Sequence, residues 1–99
     1  MKATKARGNV FLDLGFSTAE ARNLRMRSQL ITALRKFVEK QQLSQAETAR
    51  RLKVSQPRVS DLMRGKISRF SLDALVTMSS DAGLNVDLRI TKPASRRVA

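Results

Sequence analysis

The stretch from Ser44 to Lys66 constrains the fold of this chain more than any other. Ser44 and Glu47 have the spacing of a capping box, in which a serine hydroxyl and a glutamate carboxylate satisfy the free amides at a helix N-terminus. Ser55 and Pro57 mark a second helix start, because proline in the first helical turn removes no hydrogen bond that the helix needs. The sequence therefore predicts two short helices joined by a tight turn.

Apolar residues at helical spacing predict which side of each short helix is buried. They are Ala49, Leu52, Val54, Val59, Leu62 and Met63. Gly65 predicts a left-handed stop for the second helix. The other positions from Gln56 to Arg64 are mostly polar or basic, so this helix is expected to present its chemistry outward.

The charge of the chain indicates a polyanionic partner. Twenty Lys and Arg against eight Asp and Glu give a net charge of +12. Such a balance favours nucleic acid, with an anionic membrane surface as the lesser alternative. The densest part runs from Arg50 to Arg69, with seven basic residues and a single acid, Asp61. Arg50 and Arg51 fit a solvated surface, whereas the later basic residues fall where phosphates beside a groove would lie: Arg58, Arg64, Lys66 and Arg69.

The residue types argue against an enzyme. The chain has no Cys and no His, which removes thiolate chemistry, the commonest general base and the commonest metal ligands. The acids are scattered singly, and Gly65-Lys66 lacks the remainder of a phosphate-binding loop. All four aromatic residues are Phe at positions predicted to be buried, which argues against stacking on single-stranded bases. We expect no catalytic site, metal or cofactor.

The N-terminal part predicts a tail, an extended segment and a long helix. Residues 1–8 are basic and polar and are expected to form a flexible tail. Apolar residues alternate with others from Val10 to Phe16, which predicts a short extended segment along the core. Ser17 and Glu20 form a second capping box, and the helix that follows is expected to reach about Gln41. Its buried side comprises Ala21, Leu24, Ile31, Leu34, Phe37 and Val38.

The C-terminal part predicts a last helix and a strand. Ser71 caps the helix, which Leu75, Val76 and Met78 are expected to pack onto the core, and Gly83 ends it. Apolar residues then alternate through Leu84, Val86, Leu88 and Ile90, as in a strand with one apolar face. A lone strand needs a partner, either the N-terminal segment or its own copy in a second subunit. Residues 91–99 are expected to be a flexible tail.

Several of these residues carry a family resemblance. They are Gln45, Ala49, Val54, Gln56, Val59 and Leu62, with the closing RGK of Arg64 to Lys66. Together they resemble the Xre/Cro-type helix-turn-helix family, which implies a compact, lambda-repressor-like, all-α bundle over residues 9–90. In that family the two glutamines contact a phosphate and a base, roles that map onto Gln45 and Gln56. The family often has Gly at the position of Lys53, where a left-handed Lys costs roughly 1 kcal/mol unless the turn is reshaped.

The flanks are similar to the HigA-like branch of antitoxins. They comprise NVFLDLGF at 9–16, RFSLDALV at 69–76 and LNVDLRI at 84–90. The resemblance implies a homodimer joined by an intermolecular sheet, repression of its own operon at a palindromic DNA operator, and a toxin partner of the RelE/HigB ribonuclease type. A stand-alone phage-type repressor and a non-specific basic RNA-binding or nucleoid protein are the alternatives.

The sequence thus predicts two sets of binding residues. The DNA-binding set is Gln45, Ser55, Gln56, Arg58, Val59, Ser60, Arg64, Lys66 and Arg69, in which Arg58 could contact guanine or phosphate. The dimerisation set is Leu84, Val86, Asp87, Leu88, Arg89 and Ile90. No apolar run has membrane-spanning length and no signal-peptide pattern opens the chain, so we expect a cytoplasmic protein without a membrane partner.

Overall fold

Five α-helices and one 3₁₀ turn form the part of the chain that the computed structural model describes, residues 9–92. The elements are α1 (Val10–Asp13), α2 (Thr18–Gln41), α3 (Gln45–Leu52), α4 (Gln56–Met63), the 3₁₀ turn (Ile67–Arg69) and α5 (Leu72–Asp81). The prediction of a helical bundle is confirmed. The predicted tail over residues 1–8, and all but Thr91 and Lys92 of the predicted C-terminal tail, lie outside the described residues.

Side-chain caps begin the helices at the predicted serines. Ser17 and Ser44 both form complete capping boxes with Glu20 and Glu47. In the second box the Ser44 amide donates to Glu47 Oε1 at 2.8 Å, and the Glu47 amide donates to Ser44 Oγ at 3.1 Å. Single serines, Ser55 and Ser71, cap α4 and α5 in the same way. These caps satisfy amides that have no partner within the helix, so the start of each element is determined locally.

The four longer helices end in one type of hydrogen-bonded cap. After each helix, one amide donates across a reversed turn to a carbonyl five residues earlier: Leu43 to Val38, Val54 to Ala49, Lys66 to Asp61 and Leu84 to Ser79. The residue before each donor has a positive φ: Gln42, Lys53, Gly65 and Gly83. The predicted stops at Gly65 and Gly83 are confirmed.

Helix α2 is the longest element, and the other helices pack around it. Its buried residues are Ala21, Ile31, Leu34 and Val38. The central core combines α2, α3, α4, the segment before α5, and α5, through Ile31, Leu34, Leu52, Leu62, Phe70, Leu75, Met78 and Ala82. Several predicted core residues are instead exposed: Val76 on the outer side of α5, Phe16 in the connection after α1, and Val10, Leu12 and Leu14 of the N-terminal segment. No helix within residues 9–92 is both long and apolar enough to cross a membrane.

The predicted extended segment over Val10–Phe16 is wrong, because its first half forms the single-turn helix α1. Asn9 caps this helix by accepting from the Phe11 amide at 2.9 Å. The Asn9 side-chain amide also donates to the Ala21 carbonyl at 3.0 Å, which fixes α1 against α2. Local capping therefore overrides the two-residue apolar alternation, a pattern that a short helix can also produce.

The predicted strand over Leu84–Ile90 is not present in the described chain. This segment has no regular structure, and the described residues contain no strand to which it could pair. Pairing with the N-terminal segment is excluded here, because α1 uses its own backbone groups in a helix. Leu84 packs against the core, whereas Leu88 and Ile90 are 82% and 86% exposed. A strand needs a second backbone for its hydrogen bonds, and residues 9–92 supply none.

Candidate nucleic-acid interface

Helices α3 and α4 form two short helices joined by the turn Lys53–Ser55. Helix α3 buries Thr48, Ala49 and Leu52, and α4 buries Val59 and Leu62. The Thr48 hydroxyl donates to the Ser44 carbonyl at 2.7 Å, so the one buried polar side chain of α3 has a partner. Lys53 in the turn has φ 58° and ψ 43°, a true left-handed conformation. The turn is thus not reshaped to avoid the cost of a left-handed Lys.

Gln45 and Gln56 occupy equivalent positions, since each is the first residue of its helix. Both are exposed. Ser55 caps α4 by accepting from the Arg58 amide at 3.4 Å, which leaves the Gln56 side chain outside the cap. A glutamine at the N-terminal end of an outward-facing helix can pair with the N6 and N7 atoms of adenine in the major groove. The structure therefore brings both predicted glutamines to positions where DNA could reach them.

Glu47 is the acidic residue in the first turn of α3. Hydrogen bonds from the Ser44 amide and hydroxyl hold the pKa of its carboxyl below the ordinary value, with a smaller contribution from Arg50 and Arg51. The carboxylate is therefore ionised at neutral pH, where it favourably faces the positive end of the helix dipole. Glu47 thereby stabilises the first turn of α3, which also contains Gln45.

Two of the predicted basic residues after α4, Lys66 and Arg69, lie close to the carboxylate of Asp61. Asp61 Oδ1 is 3.9 Å from Lys66 Nζ, and Asp61 Oδ2 is 3.7 Å from Arg69 Nη1. Arg64 is exposed. The side chains of Lys66 and Arg69 remain 40% and 61% exposed. These distances are long for ion pairs, and exposed pairs are weak, so phosphates can compete with Asp61 for both cations.

Arg58 has a different environment from the other basic residues. Its Nη1 donates to the Arg69 carbonyl at 2.6 Å, and its guanidinium carbon lies 4.3 Å from the centroid of the Phe70 ring. These interactions within the protein do not test the predicted contact of Arg58 with DNA. They show that the guanidinium is already engaged within the protein.

Two further members of the predicted DNA-binding set lie at α4. Val59 is fully buried, with no exposed surface, so its prediction as a DNA contact is corrected: its side chain belongs to the core. Val59 follows Gln56 by three residues but lies on the inward side of the helix. Ser60 is half-buried at the edge of the outward surface.

Arg27 was missed by the sequence analysis. It extends from α2, and its Nη1 donates to the Ile67 carbonyl at 3.3 Å and the Phe70 carbonyl at 3.0 Å. Its Nε also donates to Asn23 Oδ1 at 2.7 Å. A signal was present, because Arg27 falls on the apolar stripe between Leu24 and Ile31, where a charge must have a specific partner.

The predicted dimerisation residues lie on one extended segment. Asp87 and Arg89 are exposed, and Val86 is 42% exposed. The segment borders a groove of about 610 Å³ between α2 and α5, which Met26, Leu30, Leu72, Val76, Val86 and Leu88 help to line. The described part of the chain therefore has an exposed apolar strip beside an open groove.

Comparisons with known proteins agree with this geometry. A family model described as a helix-turn-helix domain matches residues 10–91. A solved structure titled "Putative XRE Family Transcriptional Regulator" matches with a TM-score of 0.73 and 32% sequence identity, over 81% of this chain and 90% of that chain. No curated protein matches the chain. The family model covers most of this sequence, and the structural match covers nearly the whole length of the solved relative. On these grounds the chain belongs to the Xre-type helix-turn-helix family.

Proposed function

We propose that this protein is a sequence-specific DNA-binding repressor, and that it acts as the antitoxin of a toxin–antitoxin pair that regulates its own operon. The observation that carries the DNA-binding part is the exposure of Gln45 and Gln56 at the first positions of α3 and α4, beside the basic residues that follow α4. A helix with this arrangement can enter the major groove with its N-terminal end while the flanking cations contact phosphates. The net charge of +12 supports the same function.

In this proposal each polar residue of the interface has a distinct task. Gln56 contacts a base through its amide, and Gln45 contacts a backbone phosphate. Arg64, Lys66 and Arg69 contact phosphates beside the groove, which strengthens binding to any duplex without selecting a sequence. Specificity is therefore expected to depend chiefly on Gln56, and salt-sensitive affinity chiefly on the cations.

The proposal includes a homodimer formed through the segment Leu84–Ile90. Leu88 and Ile90 are largely exposed on this segment, whose backbone takes part in no strand within residues 9–92. Antiparallel pairing of two copies about Leu88 places Asp87 opposite Arg89 twice and Val86 opposite Ile90 twice, whereas pairing about Asp87 opposes two carboxylates. A two-fold dimer presents two copies of α4 to one face of DNA, with half-sites roughly 34 Å apart.

The proposal also includes a surface for a toxin of the RelE/HigB ribonuclease type. Helix α1 and the connection after it expose several apolar side chains, with Val10 57%, Leu12 45% and Leu14 69% exposed. Exposed apolar groups this close together favour contact with another protein. Helix α1 packs chiefly against α2, so a partner at α1 leaves α4 available for DNA. The antitoxin role rests on this surface and on the resemblance of the flanking sequences.

The DNA-binding part is tested by substituting the two glutamines separately. Operator sequences are first selected from a pool of random duplexes, and each variant is then measured against every single-base change of the selected site. Gln56→Ala should lose about 1–3 kcal/mol of binding free energy and relax the preference at one base pair of each half-site. Gln45→Ala is the matched control and should weaken all duplexes similarly. An unchanged preference profile for Gln56→Ala would exclude Gln56 as a base contact.

A further inference from the structure

The connection between α4 and α5 carries two of the proposed phosphate contacts, Lys66 and Arg69. It contains the 3₁₀ turn Ile67–Arg69 and the buried Phe70, whose ring is 1% exposed. The Arg69 and Phe70 carbonyls precede the cap of α5 and lie outside the hydrogen-bonding ladders of both helices. Such carbonyls need other donors. The donors that bind these carbonyls therefore fix the path of the connection, and with it the positions of Lys66 and Arg69.

Two arginines from different helices supply those donors. Arg58, in the first turn of α4, donates to the Arg69 carbonyl at 2.6 Å while its guanidinium lies 4.3 Å from the Phe70 ring centroid. Arg27 of α2 donates to the Ile67 and Phe70 carbonyls, and Asn23 orients it from one helical turn earlier. A planar guanidinium can stack on a ring and donate in its own plane at the same time, which an ammonium group cannot do.

The contacts of Arg58 favour a role within the protein over a contact with a base. A bidentate contact with guanine needs both edge donors of the guanidinium to point at the base. In this structure one of those donors points at the Arg69 carbonyl, and one face of the group covers Phe70. If Arg58 moved into the groove to pair with a base, the Arg69 carbonyl would lose this donor and the guanidinium would leave the Phe70 ring. The side chains of Arg64 and Arg69, by contrast, are exposed.

We propose that Arg58 is a positioning residue, which fixes the connection after α4 so that Lys66 and Arg69 lie where phosphates pass the end of the recognition helix. The inference rests on the proposed DNA binding and goes beyond it, because it assigns to Arg58 a contribution made through two other residues. Asp61 completes the arrangement by drawing Lys66 and Arg69 toward α4, at 3.9 and 3.7 Å. Arg27 supports the same connection from the α2 side.

The salt dependence of binding separates this role from a direct contact. Each phosphate contact adds a fixed increment to the slope of log affinity against log salt concentration. Arg64→Ala, the matched control on the same helix, should reduce the slope by about one contact. Arg58→Ala should reduce it by about two contacts, because Lys66 and Arg69 lose their positions together. The probe is a mixed-sequence duplex of several helical turns, since phosphate contacts need no operator.

Conservative substitution and coupling give two readouts that a simple loss of charge does not. Arg58→Lys keeps the charge but loses the combined stacking and donation, so its slope should fall nearly as far as that of Arg58→Ala. When Arg69→Ala is added to Arg58→Ala, the affinity for the duplex should fall little further. When it is added to Arg64→Ala, the affinity should fall by as much as Arg69→Ala alone lowers it. Circular dichroism establishes that each variant is folded at the temperature of measurement, and Arg58→Lys provides the test if Arg58→Ala is unfolded.

The outcomes distinguish this inference from the proposed function. If Arg58→Ala lowers the slope only as much as Arg64→Ala, and Arg58→Lys restores it, Arg58 is a direct phosphate contact and the inference is overturned. If Arg58→Ala changes the preference at one base pair of the selected operators, Arg58 contacts a base, and the inference is likewise overturned. If the unaltered protein binds no duplex, the proposed function fails and the inference fails with it.

Discussion

At the residue scale, Lys53, like Gln42, is a non-glycine residue with a backbone conformation that favours glycine. It has φ 58°, a conformation that costs a non-glycine residue about 1 kcal/mol. Its ammonium lies 3.7 Å from Asp81, but the side chain is 76% exposed, so this pair contributes little. We therefore expect Lys53→Gly to raise the free energy of unfolding by up to about 1 kcal/mol, as measured by urea denaturation.

Lys53→Ala is the control for this prediction, because it removes the same ion pair and keeps a side chain in the left-handed conformation. It should be no more stable than the unaltered protein. Equal stability of the Gly and Ala variants would mean that the backbone conformation of Lys53 carries no measurable cost. Binding to the selected operator should be the same for both variants if the turn geometry is unchanged.

At the element scale, the segment Leu84–Ile90 provides the test of the dimer. In the register about Leu88, Asp87→Arg and Arg89→Asp each oppose like charges and should shift the protein toward the monomer, while the double variant should restore the dimer. Molar mass is followed by analytical ultracentrifugation over a range of protein concentrations. Asp87→Asn discriminates between registers, because it should strengthen only the dimer centred on Asp87. A mass that none of these variants alters would contradict an interface at this segment.

At the scale of the whole molecule, the proposed toxin surface and the proposed DNA surface lie on different helices, so the two functions should be separable. Gln56→Ala should weaken repression of a reporter carrying the selected operator and leave toxin neutralisation intact. Leu14→Glu should do the reverse, because it places a charge among the exposed apolar side chains of the α1 region. The measurements are reporter output, and growth of cells that express the proposed toxin. Loss of both functions in either variant would contradict this layout.

Much of the fold could be predicted because the signals that define helix ends are local. The serine caps at Ser17, Ser44, Ser55 and Ser71, and the stops at Gly65 and Gly83, depend on residues only a few positions apart. Helical spacing also identified most of the core, since burial repeats with the period of the helix. The exposed positions of Gln45 and Gln56 follow from the same signals, because each is the first residue of its helix.

Only the tertiary structure decided the contacts between residues distant in sequence. The Asn9 side-chain amide donates to the Ala21 carbonyl, and this contact fixes where α1 packs on α2. Arg58 and Arg27 share the connection around Phe70, at separations along the chain that no local pattern encodes. Local hydrogen bonds are determined by spacing, whereas the partners of a long side chain depend on how the helices pack, and that is settled only when the whole core forms.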